Sequence, residues 1–244
     1  MIKVIVCENY EDASDKAFEE FKQYLKPGKV LGLATGSTPL GLYSRMVSDH
    51  INNNTSYEDI KTFNLDEYVG LPISHPESYY AFMHRNLFDK IDIKEENVHV
   101  PCGLGEDIQT KAKEYDEMID KSPVDCQILG IGSDGHIAFN EPGTSFTSLT
   151  HITDLAESTI NDNCRFFDND ISKVPTQAVT QGIGTIMKAK NIIMIATGEN
   201  KAKAVKDMLE GPIDEACPAS ILQKHNNVVV ILDKPASKLL ENNY

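Results

Sequence analysis

Short apolar runs alternate with helical stretches along the whole chain, and this alternation constrains the fold more than any other feature. The predicted strands are residues 2–6, 30–34, 60–65, 98–100, 126–129, 189–196 and 228–232. The predicted helices are residues 13–25, 40–47, 79–88, 107–119 and a last one that ends at Leu209. Strands that alternate with helices form a mostly parallel sheet flanked by helices. The 244 residues are therefore predicted to form a single Rossmann-like α/β domain over residues 1–244.

Charge and cysteine content argue against several classes of protein. The net charge of −14 and the lack of a basic patch in the sequence argue against nucleic acid or an anionic membrane surface as a partner. The sequence has no apolar run long enough for a membrane span and no signal-peptide pattern. The five cysteines are scattered without a C-x-x-C pair, which favours a reducing compartment. We therefore expect a cytoplasmic protein.

One loop gathers three titratable side chains directly after a predicted buried strand. Residues 126–143 read CQILGIGSDGHIAFNEPG, and Asp134, His136 and Glu141 follow the glycines that end the apolar run. Ligands of open α/β sheets bind just beyond the carboxyl ends of the strands. A histidine between two carboxylates can have its tautomer fixed and its basicity raised. A polar surface loop would explain an isolated Asp-Gly-His, but the density of acids and glycines indicates a catalytic loop.

A strand, a Gly/Ser/Thr turn and the start of a helix together predict an anion site. The residues of this turn are Thr35, Gly36, Ser37 and Thr38. Free N–H groups and the positive end of the helix favour a phosphate there, and a sugar phosphate is preferred because no Walker A or G-x-G-x-x-G pattern occurs. Arg165, in the irregular polar segment 144–175, and Lys201, at a second strand–glycine–helix turn, are the expected cations. An N-cap turn and surface ion pairs are the simpler explanations of these residues.

Asp66 follows the third predicted strand directly and completes an acid–base set with the catalytic loop. A carboxylate there can take a proton from a substrate carbon if its pKa is raised, although a turn cap is the more common use of such an aspartate. The sequence carries no nucleophile elbow, metal cluster or cofactor fingerprint. The residues therefore predict acid–base chemistry on a sugar phosphate and leave isomerisation, lactone hydrolysis and elimination open.

Five segments resemble the glucosamine-6-phosphate deaminase family, and the similarity extends over nearly the whole chain. They are residues 33–39 (LATGSTP), 63–70 (FNLDEYVG), 75–80 (HPESYY), 132–142 (GSDGHIAFNEP) and 164–168 (CRFFD). The NLDEY and DGHIAFNEP portions are far more specific than any short pattern. The related 6-phosphogluconolactonases share the fold and the general loop plan but are not expected to share both portions.

The resemblance implies an enzyme of amino sugar metabolism that converts glucosamine 6-phosphate and water to fructose 6-phosphate and ammonia. His136 would act in ring opening, with Asp134 and Glu141 orienting it. Asp66 would take the C2 proton and return a proton at C1. No metal or organic cofactor is implied, because the substrate amine itself serves as the electron sink once an iminium forms.

The resemblance also implies how the substrate is held. The phosphate would lie on residues 35–38 and contact Arg165 and Lys201. A mobile lid, approximately residues 155–174, would close over the site. Two positions depart from the family pattern: Ser133, where asparagine is common, and Cys164, which precedes Arg165. Both changes are tolerable.

One departure from the family concerns regulation. Some members are hexamers activated by N-acetylglucosamine 6-phosphate through a basic segment shortly after the Asn-Glu-Pro motif. Here residues 148–154 read SLTHITD, without arginine or lysine, and the C-terminal tail is short. We therefore expect no such activation, and a monomer or small homo-oligomer.

Two alternatives remain beside the deaminase. A 6-phosphogluconolactonase needs a base that activates water but no carboxylate at a substrate C2, so Asp66 discriminates between the two enzymes. A sugar-phosphate sensor would keep the phosphate contacts and could lose the acid–base residues. The complete set in this sequence argues against a sensor.

Overall fold

A parallel β-sheet runs through the centre of the protein. The computed structural model describes residues 2–242 and 244, apart from the side chains at positions 158 and 162. Its strands are β1 (Ile2–Cys7), β2 (Val30–Leu33), β3 (Lys61–Asn64), β4 (Asp66–Tyr68), β5 (Val98–His99), β6 (Cys126–Leu129), β7 (His151–Asp154), β8 (Gln177–Thr180), β9 (Ile192–Ala196) and β10 (Val228–Asp233). The central sheet has the order β1-β10-β9-β6-β2-β3-β5, and its neighbouring strands are parallel. The predicted α/β class is confirmed.

Helices flank this sheet. They are α1 (Tyr10–Phe21), α2 (Leu40–Asn53), α3 (Tyr79–Asn86), α4 (Ile108–Lys121), α5 (Glu157–Asn163), α6 (Ile183–Ile186), α7 (Ala202–Glu210) and α8 (Lys234–Ser237). Short 3₁₀ helices occur at Lys22–Tyr24, Phe88–Lys90, Glu95–Asn97, Cys164–Phe166, Ile171–Lys173, Glu199–Lys201 and Pro218–Lys224. In the described part of the chain, no helix is long and apolar enough to cross a membrane.

Helix boundaries follow the caps. Helix α1 begins before the predicted start because Asn9 is its N-cap, and the Asn9 side chain accepts from the Asp12 N–H at 3.0 Å. Ser78 caps α3 in the same way and accepts from the N–H of Ala81 at 3.0 Å. Such local signals place helices well but leave their ends uncertain by a turn.

A small antiparallel sheet forms where the sequence predicted no strands. It has the order β4-β8-β7 and lies apart from the central sheet. Strands β4 and β7 are short and carry no alternating apolar pattern, so their periodicity gives no strand signal. They are ordered by pairing with β8, which is distant in sequence from β4.

A second apolar cluster packs against this small sheet, separate from the main core. Its members are Tyr68, Phe139, Leu155, Phe167, Val174 and Ala178. Leu155 and Val174 lie at the two ends of the segment predicted as a lid, and Phe167 lies within it. The segment is thus seated on the edge of the small sheet, and α5 lies inside it.

Candidate active site

A cleft of about 430 Å³ opens beyond the carboxyl ends of the central strands. Among the residues that line it are Gly36, Ser37, Thr38, Asp134, His136, Arg165 and Lys201. A smaller recess of about 180 Å³ adjoins it, shares the His136 wall, and is lined also by Thr35 and Asp66. The structure therefore brings most of the predicted site residues to one place at the expected edge of the sheet.

The predicted anion turn links β2 to α2. Gly36 has φ +91°, a left-handed conformation that favours glycine, and open space surrounds its missing side chain. The Tyr10 hydroxyl accepts from the N–H of Gly41 at 2.8 Å and donates to the carbonyl of Ser37 at 3.1 Å. Tyr10, which sequence reasoning missed, thus holds the turn against the first turn of α2.

The predicted catalytic loop folds tightly around His136. The N–H of Gly132 donates to the carbonyl of His136 at 2.9 Å, and a side chain at position 132 would lie 2.4 Å from the imidazole ring. Only glycine therefore permits this close approach. Nδ1 of His136 lies 2.8 Å from Oδ1 of Asp134 and 3.4 Å from Oε2 of Glu141. Nδ1 has no well-aligned hydrogen bond to either oxygen, so both contacts are chiefly electrostatic.

Charge balance in this cluster fixes the protonation of His136. Burial disfavours the imidazolium, but the close polar and charge interactions with Asp134 and Glu141 outweigh it and raise the pKa of His136 to about 9. The close interaction with His136, more than burial, sets the pKa of Asp134 well below its usual range. At neutral pH the imidazole is therefore protonated, with Nδ1 directed to the carboxylates.

The same three side chains are the cluster that could hold a metal ion within the described residues. Their ligand atoms lie within 4.8 Å of one another. However, a protonated Nδ1 at ion-pair distance from Asp134 already offsets part of the carboxylate charge, and a metal ion would have to displace this proton to bind there. A site without metal or cofactor remains a prediction.

Asp66 lies in the recess with 6% of its surface exposed. Burial, and then the charge of Glu67, raises the pKa of Asp66 to about 7, although the His136 charge and a hydrogen bond with the Thr35 side chain oppose this. A carboxylate with this pKa is a stronger base than an ordinary aspartate and is still half ionised at neutral pH.

Glu67 has a structural task that the sequence did not reveal. Its carboxylate accepts from the backbone N–H groups of Tyr68, Tyr79 and Tyr80 at 2.8 to 2.9 Å. It thereby caps the start of α3 and fixes Tyr79 beside the recess. The only sequence signal was its place in the motif NLDEY.

The segment predicted as a lid reaches the site through α5 and the following 3₁₀ helix. Thr159 Oγ1 donates to Oε1 of Glu141 at 3.2 Å, and Asn163 Nδ2 donates to the Tyr68 hydroxyl at 2.8 Å. The Arg165 guanidinium lies 4.7 Å from the centre of the Phe166 ring and lines the cleft.

Arg85 is a further cation on the cleft wall that sequence reasoning missed. It lies in the last turn of α3, and its Nη1 donates to the carbonyl of Pro76 at 2.8 Å. Nothing in the local pattern distinguishes it from an ordinary surface arginine, because its position depends on how α3 packs.

Comparisons with known proteins agree on the family. The profile of the glucosamine-6-phosphate isomerase/6-phosphogluconolactonase family matches residues 10–231. A glucosamine-6-phosphate deaminase of Clostridium botulinum (strain Alaska E43 / Type E3) is 49% identical over 242 residues, which cover 98% of this chain and 97% of the relative. A glucosamine-6-phosphate deaminase of Lactobacillus acidophilus (strain ATCC 700396 / NCK56 / N2 / NCFM) is 50% identical over 244 residues, which cover 100% of this chain and 99% of the relative.

A solved structure shows the same fold. It is described as a monomeric glucosamine-6-phosphate deaminase, and it superimposes with a TM-score of 0.95 at 42% identity, covering 98% of this chain and 100% of that one. The family resemblance predicted from the five sequence segments is confirmed. The chain belongs to the family of glucosamine-6-phosphate isomerases and 6-phosphogluconolactonases.

Proposed function

We propose that this protein converts glucosamine 6-phosphate and water to fructose 6-phosphate and ammonia. The observation that carries the proposal is the recess in which buried Asp66, with a pKa of about 7, adjoins the His136 cluster beside the anion turn. Relatives about half identical to this chain are named for this reaction. The family description also covers lactonases, but a lactonase needs no base at a substrate C2.

The phosphate is bound by residues 35–38 at the start of α2, together with Arg165 and Lys201. The chain has a net charge of −14, so a dianion must be held by local cations and backbone N–H groups. Residues from all three places line one cleft. Anchoring the phosphate here directs the sugar ring toward the recess.

Ring opening is assigned to His136. Cleavage of the C1–O5 bond needs a proton on O5 and the loss of one from the C1 hydroxyl. With Nδ1 directed to Asp134 and Glu141, Nε2 is the nitrogen left to exchange protons with the sugar. The carboxylates orient the ring and keep it protonated at neutral pH.

Isomerisation and deamination are assigned to Asp66. Its carboxylate takes the C2 proton while the C1 carbonyl accepts the electron pair and O1 takes up a proton, which gives an enolamine. The nitrogen lone pair then drives the return of a proton to C1 and leaves an iminium at C2. Water adds to this iminium, ammonia leaves, and fructose 6-phosphate is formed. The C1 carbonyl and then the iminium accept the electron pairs, so the steps balance without a metal or an organic cofactor.

The direct test is ammonia release from purified protein. We expect ammonia and fructose 6-phosphate to form in equal amounts from glucosamine 6-phosphate. We also expect the rate to be unchanged by N-acetylglucosamine 6-phosphate, because residues 148–154 contain no arginine or lysine and Thr150 in this segment is bound to buried Asp116. Hydrolysis of 6-phosphogluconolactone without ammonia release would instead identify a lactonase. Activation by the acetylated sugar would refute the regulatory part of the proposal.

Replacement of Arg165 by alanine tests the phosphate site. The loss of one charge-assisted contact is expected to raise the KM for glucosamine 6-phosphate by about 10- to 100-fold. Lys173→Ala is a matched control, because Lys173 belongs to the same segment but pairs with Asp168 at 2.9 Å on the surface. Equal KM values for the two variants would remove Arg165 from the phosphate site.

We further propose that residues 1–244 form one domain and that residues 155–174 act as its lid. The lid is supported by the limited contacts of this segment, which rests on the second apolar cluster and on hydrogen bonds from α5. We also propose a monomer or small homo-oligomer, with neither nucleic acid nor a membrane as a partner.

A further inference from the structure

Helix α5 contacts the acid–base cluster through one hydroxyl group. Oγ1 of half-buried Thr159 lies 3.2 Å from Oε1 of Glu141, whose other oxygen lies 3.4 Å from Nδ1 of His136. The two oxygens of one carboxylate thus connect the segment over the cleft with the imidazole. Thr159 itself also lines the cleft.

The Glu141 carboxylate needs such a contact to keep its orientation. It shares Nδ1 with Asp134, and two like charges at one site repel each other. The Asp134 carboxylate is held by the backbone N–H of His136 at 3.2 Å. The backbone carbonyl of Glu141 accepts hydrogen bonds from the N–H and the hydroxyl of Thr144. These backbone contacts do not restrict the last side-chain torsion of Glu141, for which a broad range of angles is favourable.

We propose that Thr159 is a positioning residue, which orients Glu141 against His136 and so makes the acid–base cluster complete only when α5 is seated. The expected effect on catalysis rests on the proposed function. The expected orientation of Glu141 and the pKa of His136 do not, because both are properties of the ligand-free protein. Thr159 acts through Glu141 and takes no proton itself.

The pKa of His136 depends on all the charged groups that face the imidazole. Asp134 and Glu141 face it from its own loop, Asp66 faces it from the start of β4, and Arg165 and Lys201 line the same cleft. Loss of the Thr159 hydroxyl lets repulsion from Asp134 move Glu141 away from Nδ1. The imidazolium then loses part of its stabilisation, and the pKa of His136 falls.

The test compares three substitutions in α5. Thr159→Val removes the hydroxyl at constant shape, Thr159→Ser keeps a hydroxyl, and Asn163→Leu removes the other hydrogen bond from the same helix, the one to Tyr68. NMR titration of the His136 imidazole in the ligand-free proteins is expected to show a pKa lowered by about half a unit in Thr159→Val only. Turnover by Thr159→Val is expected to fall about three- to tenfold in kcat, with KM changed less than about twofold.

The outcomes separate positioning from a merely structural role. A His136 shift in Thr159→Val that Thr159→Ser restores and Asn163→Leu lacks supports the proposal. An unchanged titration in Thr159→Val, or an equal shift in Asn163→Leu, overturns it; Thr159→Ala gives the same readout if the valine variant does not fold. If Thr159→Val shows the His136 shift but the wild-type protein releases no ammonia, the positioning role is supported and the deaminase function is rejected.

Discussion

Replacement of Asp66 by asparagine is expected to lower the kcat for ammonia release by about 10³-fold, the range in which a positioned general base contributes. Asparagine has the same shape and can keep the hydrogen bond to Thr35, but it cannot accept the C2 proton. The measurement is the initial rate of ammonia formation at saturating glucosamine 6-phosphate. Exchange of the C2 proton with deuterated solvent should be lost in parallel, since it reports the same step.

Stability provides the control for this variant. The pKa of Asp66 is about 7 in the folded protein, above its ordinary value, so ionisation of Asp66 destabilises the fold progressively as the pH rises toward and through 7. Asparagine removes this effect, and the variant should melt at a higher temperature than the wild type at pH 8.

The control for activity is Asp125→Asn. It removes a carboxylate that pairs with Lys29 and Lys190 just before β6, and it should leave kcat unchanged. An Asp66→Asn variant within tenfold of the wild-type rate would show that another group takes the proton.

The pH dependence of kcat/KM is expected to be bell-shaped, with limbs near pH 7 and pH 9. The rate rises as Asp66 ionises with its pKa of about 7 and falls as His136 loses its proton with its pKa of about 9. His136→Gln should lower kcat/KM by about 10²-fold and remove the alkaline limb. Asp134→Asn should move that limb to lower pH, because the imidazolium loses the nearer of its two carboxylates.

A second histidine between carboxylates is the matched control for this profile. His84 lies 2.7 Å from Asp89 and 3.6 Å from Glu95 and is not among the residues that line the cleft. His84→Gln should therefore leave both limbs in place. If the alkaline limb persists in His136→Gln, a group other than His136 is responsible for it.

The sequence by itself determined the architecture and the composition of the site. Seven predicted strands alternating with helices required a parallel sheet, and loops after parallel strands meet at one edge. Thr35, Asp66 and His136 could therefore be brought together without coordinates. The long motifs around Asp66 and His136 then narrowed acid–base chemistry to one family.

The tertiary structure alone decided the energetics of the site. Burial raises the pKa of Asp66, yet no local pattern distinguishes a buried aspartate from a turn cap. Strand β4 exists because it pairs with β8, and Asp66 lies opposite Thr180. Thr159 meets Glu141 only through the packing of α5. Periodicity and motifs report near neighbours along the chain, whereas desolvation and contacts between distant segments arise only after the chain has folded.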